Sequence, residues 1–496
     1  MKNLIVPFLF CNKPQLKNFA WIFCKYVDFC VKNDMPIITE EEYCRNIDLI
    51  KEYEQGANPS QWYCTAKSPT VDLLNYTLKS VFITVEEKKR YFGNCEEIDT
   101  LSALRRHLCY EEDQQFEKLI NDKIDEVESV YGSITVIMTW IRYPSLVKCA
   151  KQRGITVLAQ ELSSIRGNDY YREVYGYFNF ATKYTYEKVA SEYKEIEQLL
   201  DKEVILNRKE ILALVLQSEH LDVINRLEES IYEFGVDADA ERDMFFSIYS
   251  GLSWKNVLND LETITDKSNV LARFHPATSS EERNSKFEKD TSINSLEWIL
   301  KCRRIVSGIS NVGFESMLLG RTAYVLSQNI PYYYGNVQSL KYIEEKSSDI
   351  KLLNYMLFAY FAPWEKMFDC DYINWRLQSP SIIEIYRYNL SFSLQKAGLK
   401  YLDVIDMGSE ERFERILKGR HGLPDEQLQT YIKRSKQKNY SDLQKDFQQE
   451  ENLLKAKIND TESKIEELSK ELSLLKNSTS WKITKPLRSL GQWIRK

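Results

Sequence analysis

The chain is short of the residues by which much enzyme chemistry is recognised. Histidine occurs only 4 times in 496 residues, and none shares metal-ligand spacing with another His or with a Cys, so no metal site is expected. The 10 cysteines are dispersed without a C-x-x-C pair, the pattern of reduced thiols in cores rather than of a disulfide framework. Neither G-x-x-x-x-G-K-[ST] nor G-x-G-x-x-G occurs, which disfavours a P-loop ATPase and a dinucleotide enzyme. No apolar run is long enough to cross a bilayer. The opening "MKNLIVPFLFCNKPQLKN" has a short apolar stretch and no small-residue cleavage site after it, so it reads as a first strand and not as a signal peptide. A net charge of −6 excludes general nucleic-acid binding as the leading function. The body is expected to be cytosolic.

What is present belongs to a soluble globular protein: 43% hydrophobic and 28% charged residues, in a chain too long for one ordinary domain. Residues 1–130 are charge-dense and give few clear strands. From there "ITVIMTW" (134–140) reads as a buried strand, "YPSLVKCAKQRG" as a helix from Pro144 to Gly154, and "ITVLAQ" (155–160) as a second strand, together a βαβ unit. The stretch 184–203 is helical, "EILALVLQ" (210–217) reads as another buried strand, and helical segments are expected from there to about 265. Strands follow at 269–274, 304–309 and 322–326, with a helix near 291–302. Alternating strands and helices predict an α/β fold with parallel sheets, arranged as two Rossmann-like domains facing a cleft. The expected divisions are an acceptor-side domain over 1–205, a nucleotide-binding domain over 206–390 and a helical linker over 391–445. A coiled coil over 446–476 and a basic amphipathic tail over 477–496 complete the chain.

Candidate chemistry gathers at strand ends, where α/β sheets build ligand sites. "SGISNVGFESMLLG" is a strand-to-helix turn in which Ser310 and Asn311 cap the helix and Gly313 lets a phosphate approach its free N–H groups. Glu315 in the first turn is placed to accept from a ribose, with Ser316 beside it. On the neighbouring strand "ARFHP" delivers Arg273, His275 and Pro276 to the same edge. "LQSEHLDV" crowds Gln217, Glu219, His220 and Asp222 after the run at 210–217, and Glu161 with Arg166 follows the strand at 155–160. Two carboxylates in one cleft can divide labour as nucleophile and general acid/base. The D-x-D pairs Asp237–Asp239 and Asp369–Asp371 follow no clear strand and read as solvated surface.

Phe447, Leu454, Ile458, Ile465, Leu468, Leu472 and Leu475 recur at heptad steps, which predicts a coiled coil and a homo-oligomer or a helical partner. The tail "NSTSWKITKPLRSLGQWIRK" carries Lys482, Lys485, Arg488, Arg495 and Lys496 and no acid, with Trp481 and Trp493 on an apolar face. That combination suits an anionic membrane surface, each basic residue adding about 1 kcal/mol.

"RFHP" and "SGISNVGFESMLLGRTAYVL" together resemble the nucleotide-binding half of bacterial capsule and O-antigen glycosyltransferases of GT-B type, above all the glycosyltransferase 99-like β-Kdo transferases of capsule synthesis. The terminal "NSTSWKITKPLR" is similar to the S-x-S-W-[RK]-x-T-x-P-L-R ending of many polysaccharide glycosyltransferases. The resemblance covers residues 130–345 and 445–496 and implies a CMP-linked donor, with Kdo favoured. It assigns His275, Pro276, Ser310, Asn311, Gly313 and Glu315 to the phosphate and ribose. Asp222 becomes the nucleophile and Glu161 the base on the acceptor hydroxyl, in a retaining transfer without a cofactor to a glycan or lipid-linked glycan at the inner face of the cytoplasmic membrane. In that family the aspartate falls one residue earlier than Asp222 does here. Transfer from a UDP-, GDP-, dTDP-sugar or CMP-sialic acid, and a non-catalytic assembly scaffold, are the alternatives.

Overall fold

A computed structural model describes residues 3–10, 16–45, 79–93, 104, 107–166, 170–179, 186–237, 253–274, 286–308, 310–327, 331–341, 343–344, 346, 349–433, 464 and 469–470. The chain divides into two compact units, Met1–Pro424 and Asp425–Lys496. The heptad positions and the basic tail lie outside the described residues, as do His275, Pro276 and Asp239. Among the described residues no helix is long and apolar enough to cross a membrane.

The first unit is built on two sheets. In the first, β1 (Ile5–Leu9), β2 (Ile37–Glu40), β3 (Ser80–Ile83), β4 (Val136–Thr139) and β5 (Thr156–Leu162) run parallel in the order β3-β2-β1-β4-β5, and β6 (Tyr175–Asn179) pairs antiparallel with β5. The second sheet, β7 (Tyr232–Asp237), β8 (Val270–Arg273), β9 (Glu288–Lys289), β10 (Cys302–Ser307) and β11 (Thr322–Val325), is wholly parallel in the order β9-β8-β7-β10-β11. The two windings are the same. In each, the chain starts in the middle, steps outward twice, then crosses back to the other side of its first strand. The late strand β12 (Phe361–Pro363) returns to the first sheet and pairs antiparallel with β6.

Alternation along the strands divides the first core into two layers. Ile5 and Leu9 of β1, with Val136 and Met138 of β4, pack with Ile22, Phe23 and Val27 of the helix Leu16–Asn33. Val6, Phe8 and Ile137 face the other way, onto Phe116, Ile120 and Leu146 from the helices Gln114–Tyr131 and Pro144–Gln152.

Two sequence expectations fail in the second half, for physical reasons. The run "EILALVLQ" is not a strand but the helix Arg208–Val215, opened by a capping box in which Glu210 N–H donates to Asn207 Oδ1 (3.0 Å) and Asn207 N–H to Glu210 Oε2 (2.6 Å). Ile211 to Val215 are all buried, and a helix enclosed on every side has no polar face to reveal its period. Conversely, the segment expected to be helical holds β7, the central strand of the second sheet.

The buried Glu210 also anchors the helix Ser409–His421, because Arg412 donates from Nε to Glu210 Oε1 at 2.7 Å. Replacing Arg412 by Ala leaves that carboxylate unpaired in the interior, and the stability measured by urea unfolding should fall by about 3–5 kcal/mol. A loss below about 1 kcal/mol, the range of a surface pair, would contradict this anchoring role.

Candidate active site

The loop leaving β5 and the helix leaving β10 meet. The loop's far end is zipped to the turn after Arg208–Val215: Arg172 N–H donates to Val215 O (2.8 Å), Gln217 N–H to Tyr170 O (2.9 Å), and Tyr171 bridges Leu216. So fixed, Tyr170 donates its hydroxyl to Glu315 Oε1 (3.1 Å), and its phenolic oxygen is hydrogen-bonded with the Ser295 hydroxyl (2.6 Å). Glu315 lies in the first turn of Val312–Leu318 and is only 5% exposed. Burial raises its pKa, against the hydrogen bonds from Ser295 and Tyr170 and the charges of Arg166 and Arg273.

Glu161 is the last-but-one residue of β5, opposite Tyr177 on β6. Its side chain is open to water, and desolvation by the surrounding protein raises its pKa. The Leu162 N–H, donating to Oε1 at 2.8 Å, and Arg166 act in the opposite sense. Arg166 is thus a cation within electrostatic reach of a carboxylate from each sheet, Glu161 and Glu315. Tyr332 marks the same place. Burial holds its phenol well above the usual range, and Tyr177, Arg166, Glu315 and Asp237 all act on it.

Other candidates fall in different surroundings. Asp222 is exposed in the 3-10 helix Ser218–Asn225, paired with Arg226 (3.3 Å), which also binds Glu229 and Glu297. Glu219 is exposed, and His220 stands edge-on to Tyr170 with ring centroids 6.4 Å apart. Arg273, at the end of β8, is held by Asp290 and donates to Ser292 O (3.2 Å). Ser310, Asn311 and Val312 form a half-buried lip. The Ser310 carbonyl accepts from Tyr332 Oη (2.6 Å) and from Gly313 N–H (3.3 Å), so that N–H is already engaged. A Cβ at Gly313 would stand 2.8 Å from the Tyr332 ring, so the missing side chain there is explained by packing. Ser316 is fully buried with its hydroxyl on Val312 O (2.6 Å), away from the lip.

Asp237, which the sequence reads as solvated surface, is placed differently by the fold. It is the last residue of β7, half-buried, at the point where the strand order of the second sheet reverses between β7 and β10. The signal was the alternation Tyr232, Phe234, Val236 running into a D-x-D. Asp369, by contrast, is a helix cap, accepting from the N–H groups of Asp371 (3.0 Å) and Tyr372 (3.2 Å).

With this geometry in view, residues 6–184 match the Glycosyltransferase 99 family N-terminal domain. The two parallel sheets define an α/β architecture, and the matched domain, residues 6–184 of 496, is that of a glycosyltransferase family. Among solved structures, the chain is similar to Thermosulfurimonas dismutans KpsC, β-Kdo 2,7 transferase, at 14% identity over 49% of this chain and 82% of that one, TM-score 0.31. The β-Kdo 2,4 transferase of the same KpsC gives 11%, 49%, 87% and 0.29. A Methanocaldococcus jannaschii UDP-GlcNAc 2-epimerase gives 14%, 67%, 86% and 0.26. No curated protein matches the chain.

The raised pKa of Glu315 has a measurable consequence. Between the ordinary carboxylate range and the raised value, the folded protein keeps a proton that the unfolded chain releases. Stability therefore falls as pH rises through that window. Glu315→Gln removes the titration, so its melting temperature should gain on the wild type as pH rises above the ordinary carboxylate range. A difference that does not change with pH would contradict the desolvated state of Glu315.

Proposed function

We propose that the chain transfers a sugar from a nucleotide donor, held at the carboxyl edge of the second sheet, to a glycan hydroxyl presented at the first. The observation that carries this reading is that Arg166, Glu315 and Asp237 lie within electrostatic reach of Tyr332, and Glu161 lies within reach of the same Arg166. The lip Ser310–Val312 and Arg166 face the donor phosphate, joined by His275 and Pro276, and Glu315 accepts from the ribose. The favoured donor is CMP-Kdo, and the product a bacterial capsule or O-antigen glycan.

In this reading Asp237 takes the nucleophile's place that Asp222 was expected to fill, because Asp237 ends a central strand while Asp222 sits in a surface ion-pair cluster. The Asp237 carboxylate attacks the anomeric carbon as the bond to the phosphate oxygen breaks, and CMP leaves. The acceptor oxygen then displaces the aspartyl ester while Glu161 takes its proton, so two inversions give net retention. The raised pKa of Glu161 suits a base that must hold a proton for a moment near neutral pH. The heptads and the basic tail supply the oligomer contact and the hold on the anionic inner face of the membrane.

Calorimetric titration with CMP, CDP, UMP, UDP, GDP and dTDP tests the donor site, and selective CMP binding is the expected result. A preference for a diphosphate removes Kdo as the sugar. No binding of any of them favours the assembly scaffold. With CMP-Kdo as substrate, Asp237→Asn and Glu161→Gln should each slow CMP release by about a thousandfold or more while CMP affinity changes little. Asp222→Asn should stay near wild type. If that variant is the inactive one and Asp237→Asn is not, the nucleophile has been misplaced.

A further inference from the structure

A buried side-chain polar atom without a hydrogen-bond partner is uncommon in a folded protein and needs a cause. Several such atoms among the described residues belong to one edge of the first sheet: Thr39 Oγ1 near the end of β2, Arg142 Nη2 just past β4, and Ser164 Oγ just past β5. Arg142 is the most demanding of them. A guanidinium always carries its charge, and removing it from water is costly unless an anion faces it. Burial alone perturbs this one, with no carboxylate opposing the effect. Among the nearby acids of the edge, Glu40 and Glu42 hold Lys88 (2.9 and 2.6 Å) and Glu41 accepts from the Val85 N–H (3.0 Å), while the second oxygen of Glu42 is buried without a partner.

The backbone around Arg142 is held on both sides. Thr139 Oγ1 donates to Ile141 O (2.7 Å), and the buried Tyr143 hydroxyl donates to Phe10 O just past β1. Its location is the one that a doubly wound sheet reserves for ligands: the strand order reverses between β1 and β4, and Arg142 follows β4 directly. On β5, the neighbouring strand, the chain passes through Glu161 to Ser164 and Arg166.

We infer that the half-buried Arg142, with Ser164 past the neighbouring strand, binds an anionic group of the acceptor, a carboxylate or a phosphate, at the reversal point of the first sheet. This rests on the proposed function in placing the acceptor at that sheet. It extends that reading by giving the acceptor a chemical character: its terminal sugar is acidic. Adjacent strands lie about 4.8 Å apart, so a sugar anchored on the β4 side carries a hydroxyl to the β5 side, where Glu161 is the base.

The test uses the full chain and three probes observed by saturation-transfer NMR: methyl glucuronoside, methyl glucoside bearing a primary phosphate, and neutral methyl glucoside. The acidic probes should bind at least about tenfold more tightly than the neutral one, the scale of a charge-assisted contact. Which acidic probe binds better separates a sugar acid from a sugar phosphate. Arg142→Gln should erase the preference, and Arg142→Lys, a point charge without the fork, should keep part of it. Equal binding of all three by the wild type overturns the inference whether or not Arg142→Gln folds. An undiminished preference in folded Arg142→Gln overturns it as well. CMP titration of the same samples keeps the two readings apart, since loss of nucleotide binding in the wild type would sink the transferase reading without touching the anion preference.

Discussion

The hydrogen bond from Tyr170 to Glu315 joins the loop that leaves the first sheet to the helix that leaves the second, and the site takes its character from that link. It places a carboxylate where water is largely excluded and where its pKa rises. Arg166, on the same loop as Tyr170, is carried with it and sits within reach of acids from both sheets. Few charges are needed in such a place, because fixed dipoles and a single cation act strongly when solvent does not compete. In the proposed reading, a chain with few histidines relies on carboxylates, tyrosines and arginines for its chemistry.

The repeated winding gives the division of labour. Each sheet reverses its strand order once, between β1 and β4 and between β7 and β10, and each reversal opens a crevice at the carboxyl ends. A group-transfer enzyme needs two such places, one for the group's donor and one for its receiver. Asp237 and the Ser310 lip stand at one, Arg142 at the other, and Glu161 lies one strand beyond Arg142. The loop zipped against the turn after Arg208–Val215 holds Tyr170 where it can bridge them.

Much of this was legible in the sequence, and the misses have physical causes. The strands around 136, 156, 270, 302 and 322 were readable because β-branched runs alternated with capped helices, as at Pro144 and Gly154. The run 210–217 misled because an enclosed helix and a buried strand share the same composition. Only Asn207 and Glu210, a capping box, marked the difference. With β7 absent from the expected strands, the Asp237–Asp239 pair read as solvated surface rather than as a strand end. Glu161, Arg166 and Glu315 were named as candidates from a strand end and a helix start. Tyr170, Tyr332 and Arg142 were not, because what faces them across the fold leaves no trace in spacing along the chain.

The most direct test of the account is a crystal structure of the full chain grown with CMP. The account predicts the nucleotide at the carboxyl edge of the second sheet, its phosphate against Ser310–Val312 and Arg166 and its ribose within hydrogen-bonding distance of Glu315. A nucleotide bound anywhere else on the chain, with that edge empty, would contradict it.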